Sequence, residues 1–405
     1  MLSAQEQFKI ISSGVDQIIP KKAMLEKLEK NKPLNIKLGV DPTAPDIHLG
    51  HAVPLRKLRQ FQDLGHRVIL IIGDGTSLIG DPSGRNTTRP QLSQEQIKAN
   101  AQTYIDQAMK VLDPNKTKIE HNADWILSLD MKGLLKLCSS FTVARILERD
   151  DFNNRYKSNL PIGLHEFLYP VMQAYDSLMI KADVELGGTD QLFNLLAGRE
   201  LMEKSGMEPQ VCLTLPLLEG TDGHQKMSKS YGNYIGVSES ADEQFGKVMS
   251  IPDELMPRYF RLASSVDVDK IEEIEEGLKN NTLHPNKVKR FLARNIVEIY
   301  HSENEAINAE KRFDKIFKCD DIPDEVPEFN GDILINDQGL IYLPKLLLDA
   351  KLINSISEGR RLIDGGGVKI NKNVLDAKLY NIDPSEVFNS TIQVGKRKFI
   401  HIPSK

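Results

Sequence analysis

Residues 34–73 decide the fold class, and they read LNIKLGVDPTAPDIHLGHAVPLRKLRQFQDLGHRVILIIG. The segment 34–40 is a short β-rich run, and the segment 67–73 is a continuous apolar run of the kind that a parallel sheet buries on both faces. Between them, residues 51–65 place apolar side chains at a helical spacing, which Gly65 ends. Strand, helix and strand with short joins form a βαβ unit. The stretch therefore predicts an α/β fold with a Rossmann-like, doubly wound parallel sheet.

The rest of the chain shows further periodic segments. Apolar spacing predicts helices around residues 93–112, 131–148 and 165–205 and a strand over residues 210–218. The lone tryptophan, Trp125, lies in a connecting stretch, and we expect it to be a packing residue.

The C-terminal half changes character twice. From about residue 238 to 318 the pattern is helical and charged, and the acidic stretch 318–332 contains two prolines and no periodicity, which is typical of a linker. We therefore expect a Rossmann-like domain over residues 1–222, an all-helical domain over residues 223–318, a linker over residues 319–340 and a small domain over residues 341–405.

The composition limits the class of protein. A chain of 405 residues suits two or three domains, and its 40% hydrophobic and 27% charged residues are ordinary for a globular protein. The net charge of −5 argues against coating nucleic acid without specificity, but residues 331–405 carry 11 Lys or Arg against 8 Asp or Glu. Three widely spaced cysteines fit no zinc spacing, and we find neither a signal-peptide pattern nor a membrane-length apolar stretch. We expect a cytoplasmic protein with no membrane partner and a basic C-terminal module.

The segment HLGH, residues 48–51, admits three interpretations: half a metal site, buried polar packing, or a phosphate clamp. No third ligand stands at a metal-binding spacing, which weakens the first. The segment lies at a strand-to-helix junction, where backbone N–H groups and the helix dipole favour anions, and Gly50 allows a base or phosphate to approach closely. A nucleotide site is also expected at the carboxyl end of the first strand.

Two further loops carry chemistry. The loop GDGTSLIGDPSGR, residues 73–85, matches neither phosphate-loop pattern, and Asp81 within it suits a cationic group unless the loop is only a glycine-rich turn. The loop KMSKS, residues 226–230, holds Lys226 and Lys229 in a polar segment. Alone it reads as solvated surface, but such lysines can also close over a polyanion and stabilise a leaving pyrophosphate.

The pairing of these motifs is specific. An HxGH near the N terminus and a KMSKS about 175 residues downstream, after an α/β half, resemble the signature pair of the class I aminoacyl-tRNA synthetases. The segments FLYPVMQAYD (167–176) and ELGGTDQLFN (185–194) resemble the amino-acid and ribose sites of the bacterial tyrosyl branch. The segment LPKLLLDAKLINSISEGRRLIDGGGVKIN (343–371) is similar to an S4-type, α+β RNA-binding module. The resemblance covers essentially the whole chain.

The resemblance implies a ligase that joins L-tyrosine and ATP into an adenylate, with release of pyrophosphate, and then transfers the tyrosyl group to the 3′ end of tRNA(Tyr). Mg²⁺ is expected on the ATP phosphates and not in a dedicated protein site. The family also implies a catalytic domain over residues 1–222, a homodimer interface in an insertion around residues 120–160, an anticodon-binding domain over residues 223–318 and S4-like RNA binding in the tail. Apolar positions around 120–160 could equally belong to an intramolecular core.

Site residues follow from matching the family motifs position by position. The match assigns catalysis to Thr43, His48, His51, Lys226 and Lys229. It assigns ATP binding to Asp41, His48, Gly50, His51, Asp190, Lys226, Met227 and Lys229. It assigns tyrosine binding to Gly39, Asp81, Tyr169, Gln173, Asp176 and Gln191. We expect the basic residues Arg360, Arg361 and Lys369 to bind tRNA.

The chain departs from the family at two positions. Many bacterial relatives read YCGFD where residues 37–41 read KLGVD, so Lys37 stands where a tyrosine helps to bind the substrate phenol. Asp74 stands where a glycine is common. We hypothesise that Asp176 remains the main partner of the hydroxyl, with Lys37 or Asp74 altering the surrounding network.

Two alternatives remain open from sequence. A tryptophanyl enzyme would keep HxGH and KMSKS but lack both the Tyr169, Gln173 and Asp176 set and the S4-like tail. A non-catalytic RNA-binding relative would keep the tail and lose the catalytic residues.

Overall fold

The computed structural model describes residues 2–42, 47–82, 93–317, 326–329, 331, 333–395 and 398–404. They form two compact units, Met1–Ala306 and Ile307–Lys405.

The first unit is built on a six-stranded sheet of order β1-β6-β5-β2-β3-β4, in which only β1 runs antiparallel to its neighbour. The strands are β1 (Gln17–Ile19), β2 (Asn35–Val40), β3 (Arg67–Ile72), β4 (Thr117–His121), β5 (Val184–Gly188) and β6 (Val211–Leu215).

Helices make up most of the remainder of this unit. They are α1 (Ala4–Ser12), α2 (Lys21–Glu29), α3 (Leu49–Asp63), α4 (Gln94–Ala108), α5 (Ala123–Ile126), α6 (Met131–Cys138), α7 (Val143–Ile146), α8 (Asp150–Lys157), α9 (Leu168–Met179), α10 (Leu192–Lys204), α11 (Ala241–Ser250), α12 (Met256–Ala263), α13 (Val268–Lys279), α14 (Pro285–Tyr300) and α15 (Glu303–Phe317), which runs past the end of the unit.

The predicted βαβ unit is confirmed as β2, α3 and β3. Residues 68–72 are all buried, as expected for a strand covered on both faces, and β2 and β3 pair in parallel with Leu38 opposite Leu70. Chain order moves outward from β2 to β3 and β4 on one side and to β5 and β6 on the other. This reversal opens a crevice at the carboxyl ends of β2 and β5, which is where doubly wound sheets bind ligands.

The prediction of a helix over residues 165–205 was wrong in its middle. Strand β5 lies there between α9 and α10, and it pairs with both β2 and β6. The segment VELGG is too short to reveal by periodicity whether it is strand or helix, and the two ladders decide it. Residues 131–148 likewise form two short helices, α6 and α7, whereas residues 241–317 are helical as predicted.

The second unit contains a helix-to-strand junction that runs through three consecutive glycines, Gly365–Gly367. Two helices, α16 (Leu343–Asp349) and α17 (Ile356–Asp364), precede strand β8 (Val368–Ile370). Gly366 has φ +68°, a conformation that glycine adopts without strain.

Two small sheets complete the second unit. One is a four-stranded antiparallel sheet of order β12-β11-β8-β9, and the other pairs β10 with β7. The remaining elements are β7 (Ile341–Tyr342), β9 (Asn373–Val374), β10 (Asn381–Ile382), α18 (Pro384–Val387), β11 (Ser390–Val394) and β12 (Lys398–Ile402). Leu343, Leu347, Ile363 and Ile392 are fully buried in one core.

The four-part domain division stays a prediction, because the first unit takes in both the Rossmann-like and the helical regions. In the described ranges, no helix has the length and apolar composition needed to cross a membrane.

Candidate active site

The HLGH segment begins helix α3. His48 is extended, with φ −113° and ψ 171°, and the helix starts at the next residue. The rings of His48 and His51 stack with their centroids 3.8 Å apart. A Cβ atom on Gly50 would lie 3.1 Å from the His48 ring, so glycine allows that ring to lie against the first turn. The two histidines therefore form one stacked pair at a helix N terminus, where backbone N–H groups favour anions.

Both imidazoles are neutral at pH 7. Burial lowers the pKa of His48 to about 3 and that of His51 to about 4, and the positive charge of Lys229 adds to the effect on both. Within the described residues, Nδ1 of His48 is buried without a hydrogen-bond partner. Because buried polar atoms are nearly always paired, this nitrogen is suited to a ligand.

The KMSKS loop lies beside this pair. The Leu49 N–H donates to the Ile235 carbonyl at 2.9 Å, which joins the start of α3 to the segment after the loop. A Cβ atom on Gly50 would lie 3.6 Å from Cβ of Met227, which is itself buried. The two motifs, about 175 residues apart in sequence, are therefore neighbours in space.

The positive charges of the two loop lysines act on different neighbouring groups. The charge of Lys229 acts on both histidines, and its Nζ lies 5.9 Å from the centroid of the Tyr234 ring. Burial raises the pKa of Asp190, nearby Asp81 raises it further, and Lys226 opposes the shift. The charge of Lys229 therefore acts on the histidine pair, and the charge of Lys226 acts on Asp190.

A cavity of about 320 Å³ opens at the carboxyl ends of the strands, beside the histidine pair. It brings together the residues predicted to bind tyrosine and part of the predicted nucleotide side, whereas the lining does not include His48, Asp190, Lys226, Met227 or Lys229. Predicted site residues that line it are Gly39, Asp41, Gly50, His51, Asp81, Tyr169, Gln173, Asp176 and Gln191.

Asp41 and Tyr169 connect the two halves. The Tyr169 hydroxyl donates to Oδ2 of Asp41 at 3.0 Å, and the Thr76 hydroxyl donates to Oδ1 at 2.8 Å. Helix α9 supplies Tyr169, Gln173 and Asp176 at offsets of four and three, which place them on one helix face, and all three line the cavity.

Asp81 also lines the cavity, and its partners in the described part of the chain include Gln191 and Arg149. Nε2 of Gln191 donates to its Oδ2 at 3.0 Å, and Arg149 donates to its Oδ1 at 3.2 Å. Arg149 is buried and also bonds Asn194 at 3.1 Å. The sequence reasoning missed Arg149, which lies 68 residues from Asp81 in a segment without a recognised motif.

Asp176 ends the cavity as a buried carboxylate. Trp125 Nε1 donates to its Oδ1 at 2.8 Å, and Asn122 Nδ2 donates to its Oδ2 at 3.2 Å. Burial raises the pKa of Asp176 to about 6, and the charge of Lys37 opposes that shift. Trp125 packs against Ile69, as expected of a packing residue, but its bond to Asp176 was not foreseen. Its position just after β4, at the carboxyl edge of the sheet, was the available signal.

The two departures from the family lie in different places. Asp74 accepts from His121 Nδ1 at 2.7 Å and from the Ala123 N–H at 3.0 Å. These bonds fix the segment that carries Asn122, and Asn122 in turn donates a hydrogen bond to Asp176. Lys37 is fully buried and its Nζ lies 2.8 Å from Oε1 of Glu185.

The predicted tRNA-binding residues belong to the second unit. Arg360 and Arg361 are exposed on α17, and Lys369 lies on β8. Nε of Arg360 donates to the Tyr342 hydroxyl at 2.8 Å, and its guanidinium lies 5.6 Å from the centroid of the Tyr380 ring.

Thr43, predicted to act in catalysis, lies outside the described residues. Among the residues that are described, no cluster of three or more His, Cys, Asp or Glu side chains has a geometry that could hold a metal ion.

Two family models match the chain. Residues 29–318 match the family described as tRNA synthetases class I (W and Y), and residues 343–388 match the S4 domain.

Curated relatives match over nearly the full length. The tyrosine–tRNA ligase of Carboxydothermus hydrogenoformans is 50% identical over 98% of this chain and 98% of its own. The tyrosine–tRNA ligase of Photobacterium profundum is 50% identical over 100% of both. Among solved structures, the tyrosyl-tRNA synthetase of Archaeoglobus fulgidus complexed with L-tyrosine aligns with a TM-score of 0.63 at 23% identity, over 76% of this chain and 99% of that one, and shows the same fold.

Proposed function

Because the chain belongs to the class I tRNA synthetases for tryptophan and tyrosine, we propose that it is a tyrosine–tRNA ligase. The observation that carries the proposal is Asp176, a buried carboxylate at the end of the cavity that can accept a hydrogen bond from a phenol hydroxyl. Full-length relatives that are themselves tyrosine–tRNA ligases support tyrosine over tryptophan.

The reaction has two steps. A carboxylate oxygen of tyrosine attacks the α-phosphorus of ATP, the bond to the bridging oxygen breaks, and pyrophosphate leaves. The terminal ribose hydroxyl of tRNA(Tyr) then attacks the carbonyl carbon of the adenylate and releases AMP. The steps need no side-chain nucleophile, so the protein contributes orientation and charge stabilisation.

The nucleotide side of the site stabilises the charge on the departing pyrophosphate. His48 and His51 donate as neutral imidazoles, and Lys226 and Lys229 neutralise the charge that develops. Asp190 binds the ribose. Mg²⁺ accompanies the ATP phosphates as part of the substrate, and the family resemblance gives Thr43 a role in the same step.

The amino-acid side of the site places the substrate. Asp81, Tyr169 and Gln173 form the cradle for the ammonium group, and Gln191 lies near the reacting carboxyl. Asp176 accepts the hydrogen bond of the phenol. Together these residues hold the carboxylate of the substrate tyrosine next to the residues that bind ATP.

Charging of tRNA tests the proposal directly. Unfractionated bacterial tRNA, ATP and Mg²⁺ are incubated with the protein and with labelled tyrosine, phenylalanine or tryptophan. We expect acid-precipitable label with tyrosine alone. Label from tryptophan in its place would assign the chain to the other branch of the family.

The ionisation of Asp176 predicts a pH dependence. We expect kcat/KM for tyrosine in adenylate formation to fall as the pH drops through about 6, because the carboxylate gains its proton there. His48 and His51, with pKa values of about 3 and 4, stay neutral in this range. The pH profile of ATP–pyrophosphate exchange measures it. Asp176→Asn should remove the decline, and a decline that persists in this variant would assign it to another group.

A homodimer is part of the proposal. The segment predicted as an interface, with the turn after it, exposes Met131 (69%), Leu135 (63%), Tyr156 (65%) and Leu164 (84%). Several large, strongly exposed apolar side chains in one segment support a surface that a partner covers. A second copy of the chain is the partner that the family implies, and the cytoplasmic location likewise stays a prediction.

A charge in this surface should separate the subunits. Leu164→Asp combined with Leu135→Asp is expected to shift the mass measured by light scattering from about 91 kDa to 45.6 kDa. Val374→Asp, at a 55% exposed position of the second unit, is the control and should leave the mass unchanged. A wild-type protein that is already monomeric at micromolar concentration would contradict the dimer.

The S4 domain predicts a separable effect on tRNA. Arg361→Ala should lower kcat/KM for tRNA charging about three- to tenfold and reduce its salt dependence, because one phosphate contact is lost. ATP–pyrophosphate exchange needs no tRNA and should stay within twofold of wild type. An equal loss in both assays would show that the substitution damages the fold.

A further inference from the structure

We propose that Lys37 and Glu185 form a positioning pair that fixes the tyrosine-binding turn of α9 and thereby contributes to the selection of tyrosine over phenylalanine. The inference rests on the proposed function, since it concerns the same cavity. It assigns a role to Lys37, one of the two positions at which the sequence differs from the family motif.

The pair is built into the centre of the sheet. Lys37 on β2 and Glu185 on β5 are direct partners in the parallel ladder. Nζ of Lys37 lies 2.8 Å from Oε1 of Glu185, and the side chains are 0% and 1% exposed. Because ladder partners project from the same face of a sheet, the two charges meet beneath the same helix.

That helix is α9. Nζ of Lys37 donates to the Gln173 carbonyl at 2.9 Å and to the Ser177 hydroxyl at 2.7 Å. Glu185 accepts from Gln173 Nε2 at 3.2 Å and from the Ser177 hydroxyl at 3.1 Å. The bonds tie both ends of one helical turn to the sheet, and Asp176 lies within that turn.

The cluster has further support behind it. The side-chain amide of Gln210 donates to Oε2 of Glu185. A Cβ atom on Gly198 would lie 2.7 Å from Nε2 of Gln210 and 3.0 Å from Oγ of Ser177, so the neighbouring helix α10 leaves room for the cluster only with glycine there. The position of the Glu185 carboxylate is thus fixed from the α10 side as well as from α9.

Lys37 acts through α9 and not on the phenol. Its ammonium has three acceptors within 2.9 Å, the Glu185 carboxylate, the Gln173 carbonyl and the Ser177 hydroxyl, which match its three N–H donors. The donors are therefore already used. Its charge also favours the ionised form of Asp176, and burial opposes this.

Stability alone does not account for the pair. A buried ion pair is often no more stabilising than apolar residues of the same size, whereas removal of one partner leaves an uncompensated charge. The pair also makes hydrogen bonds to Gln173 and Ser177 that hold α9 on the sheet, and apolar residues could not make these bonds. Stability and selectivity should therefore respond differently when one or both charges are removed.

The experiment compares Lys37→Met, Glu185→Gln and the double variant in ATP–pyrophosphate exchange, with tyrosine and phenylalanine as substrates. We expect each single variant to raise KM for tyrosine about tenfold and to lower the tyrosine-to-phenylalanine ratio of kcat/KM by a similar factor. KM for ATP should change less than twofold. The double variant should regain much of the thermal stability lost by the single variants, because no buried charge is left unpaired, but it should not regain the ratio.

Lys27→Met is the matched control. Lys27 is also a buried lysine, 3% exposed, and its Nζ lies 3.1 Å from the Asp183 carboxylate. Asp183 precedes the amino end of β5, whereas the cavity lies at the carboxyl ends of the strands. Its loss should lower the melting temperature and leave the tyrosine-to-phenylalanine ratio unchanged.

Two results overturn the inference and one overturns its premise. A double variant that is folded and keeps the wild-type ratio within twofold would show that the pair is only structural. A ratio that recovers together with the melting temperature would show the same. If wild type itself shows no exchange with tyrosine, the proposed function fails and the inference fails with it.

Discussion

Replacing His48 with alanine should slow the formation of tyrosyl-adenylate by about 10²- to 10³-fold, the usual loss when one preorganised donor to developing charge is removed. The dissociation constant for tyrosine should change less than twofold. The imidazole stacks on His51 at the start of α3 and carries a buried Nδ1 that has no hydrogen-bond partner in the described part of the chain. The effect should therefore fall on the transition state and not on the amino-acid complex.

The helix itself should tolerate the change. His48 occupies the N-cap position, but within the described residues its side chain makes no capping hydrogen bond. Rapid-quench measurement of adenylate formation, together with equilibrium binding of tyrosine, separates the two constants.

His66 supplies the control for this prediction. It is also buried, but its Nδ1 accepts from the Leu34 N–H at 3.2 Å and its Nε2 bonds Gln7 at 3.0 Å. His66→Ala should lower the melting temperature and leave both kinetic constants near wild type. Equal losses of rate and tyrosine affinity in His48→Ala would contradict a role in the transition state.

Replacing Asp176 with alanine should abolish most of the preference for tyrosine over phenylalanine. The substrate hydroxyl loses a charged acceptor, which lowers kcat/KM for tyrosine about 10- to 100-fold. Phenylalanine has no hydroxyl to donate, and in this variant it no longer leaves an acceptor position of a buried carboxylate unfilled. Steady-state exchange with each amino acid gives the ratio of the two kcat/KM values.

Trp125→Phe tests the same site more gently. It keeps an aromatic ring, although a smaller one, next to Ile69 and removes the N–H that donates to Asp176. We expect a partial loss of selectivity, smaller than in Asp176→Ala. If Asp176→Ala keeps the wild-type selectivity for tyrosine over phenylalanine, Asp176 is not the partner of the substrate hydroxyl.

The predictable parts of the fold and site are those encoded locally. Strands β2 and β3 and helix α3 follow from apolar periodicity, and the offsets of four and three that place Tyr169, Gln173 and Asp176 on one face follow from helical geometry. The proximity of HLGH to KMSKS followed from resemblance, because the segments lie about 175 residues apart. Strand β5 was missed because its assignment depends on ladders to β2 and β6.

Contacts between distant residues were beyond reach of the sequence. Lys37 meets Ser177 across 140 positions, and Trp125 meets Asp176 across 51. The neutral state of His48 and His51 likewise depends on burial. A single sequence gives residue types and spacing, whereas these properties arise from packing.

The central claim is that the cavity beside the stacked histidines activates tyrosine with ATP. Amino-acid-dependent ATP–pyrophosphate exchange, measured with each of the twenty amino acids in turn, tests it most directly. We expect strong exchange with tyrosine and far weaker exchange with phenylalanine and the others. Silence with tyrosine, or a stronger signal with another amino acid, would contradict the account.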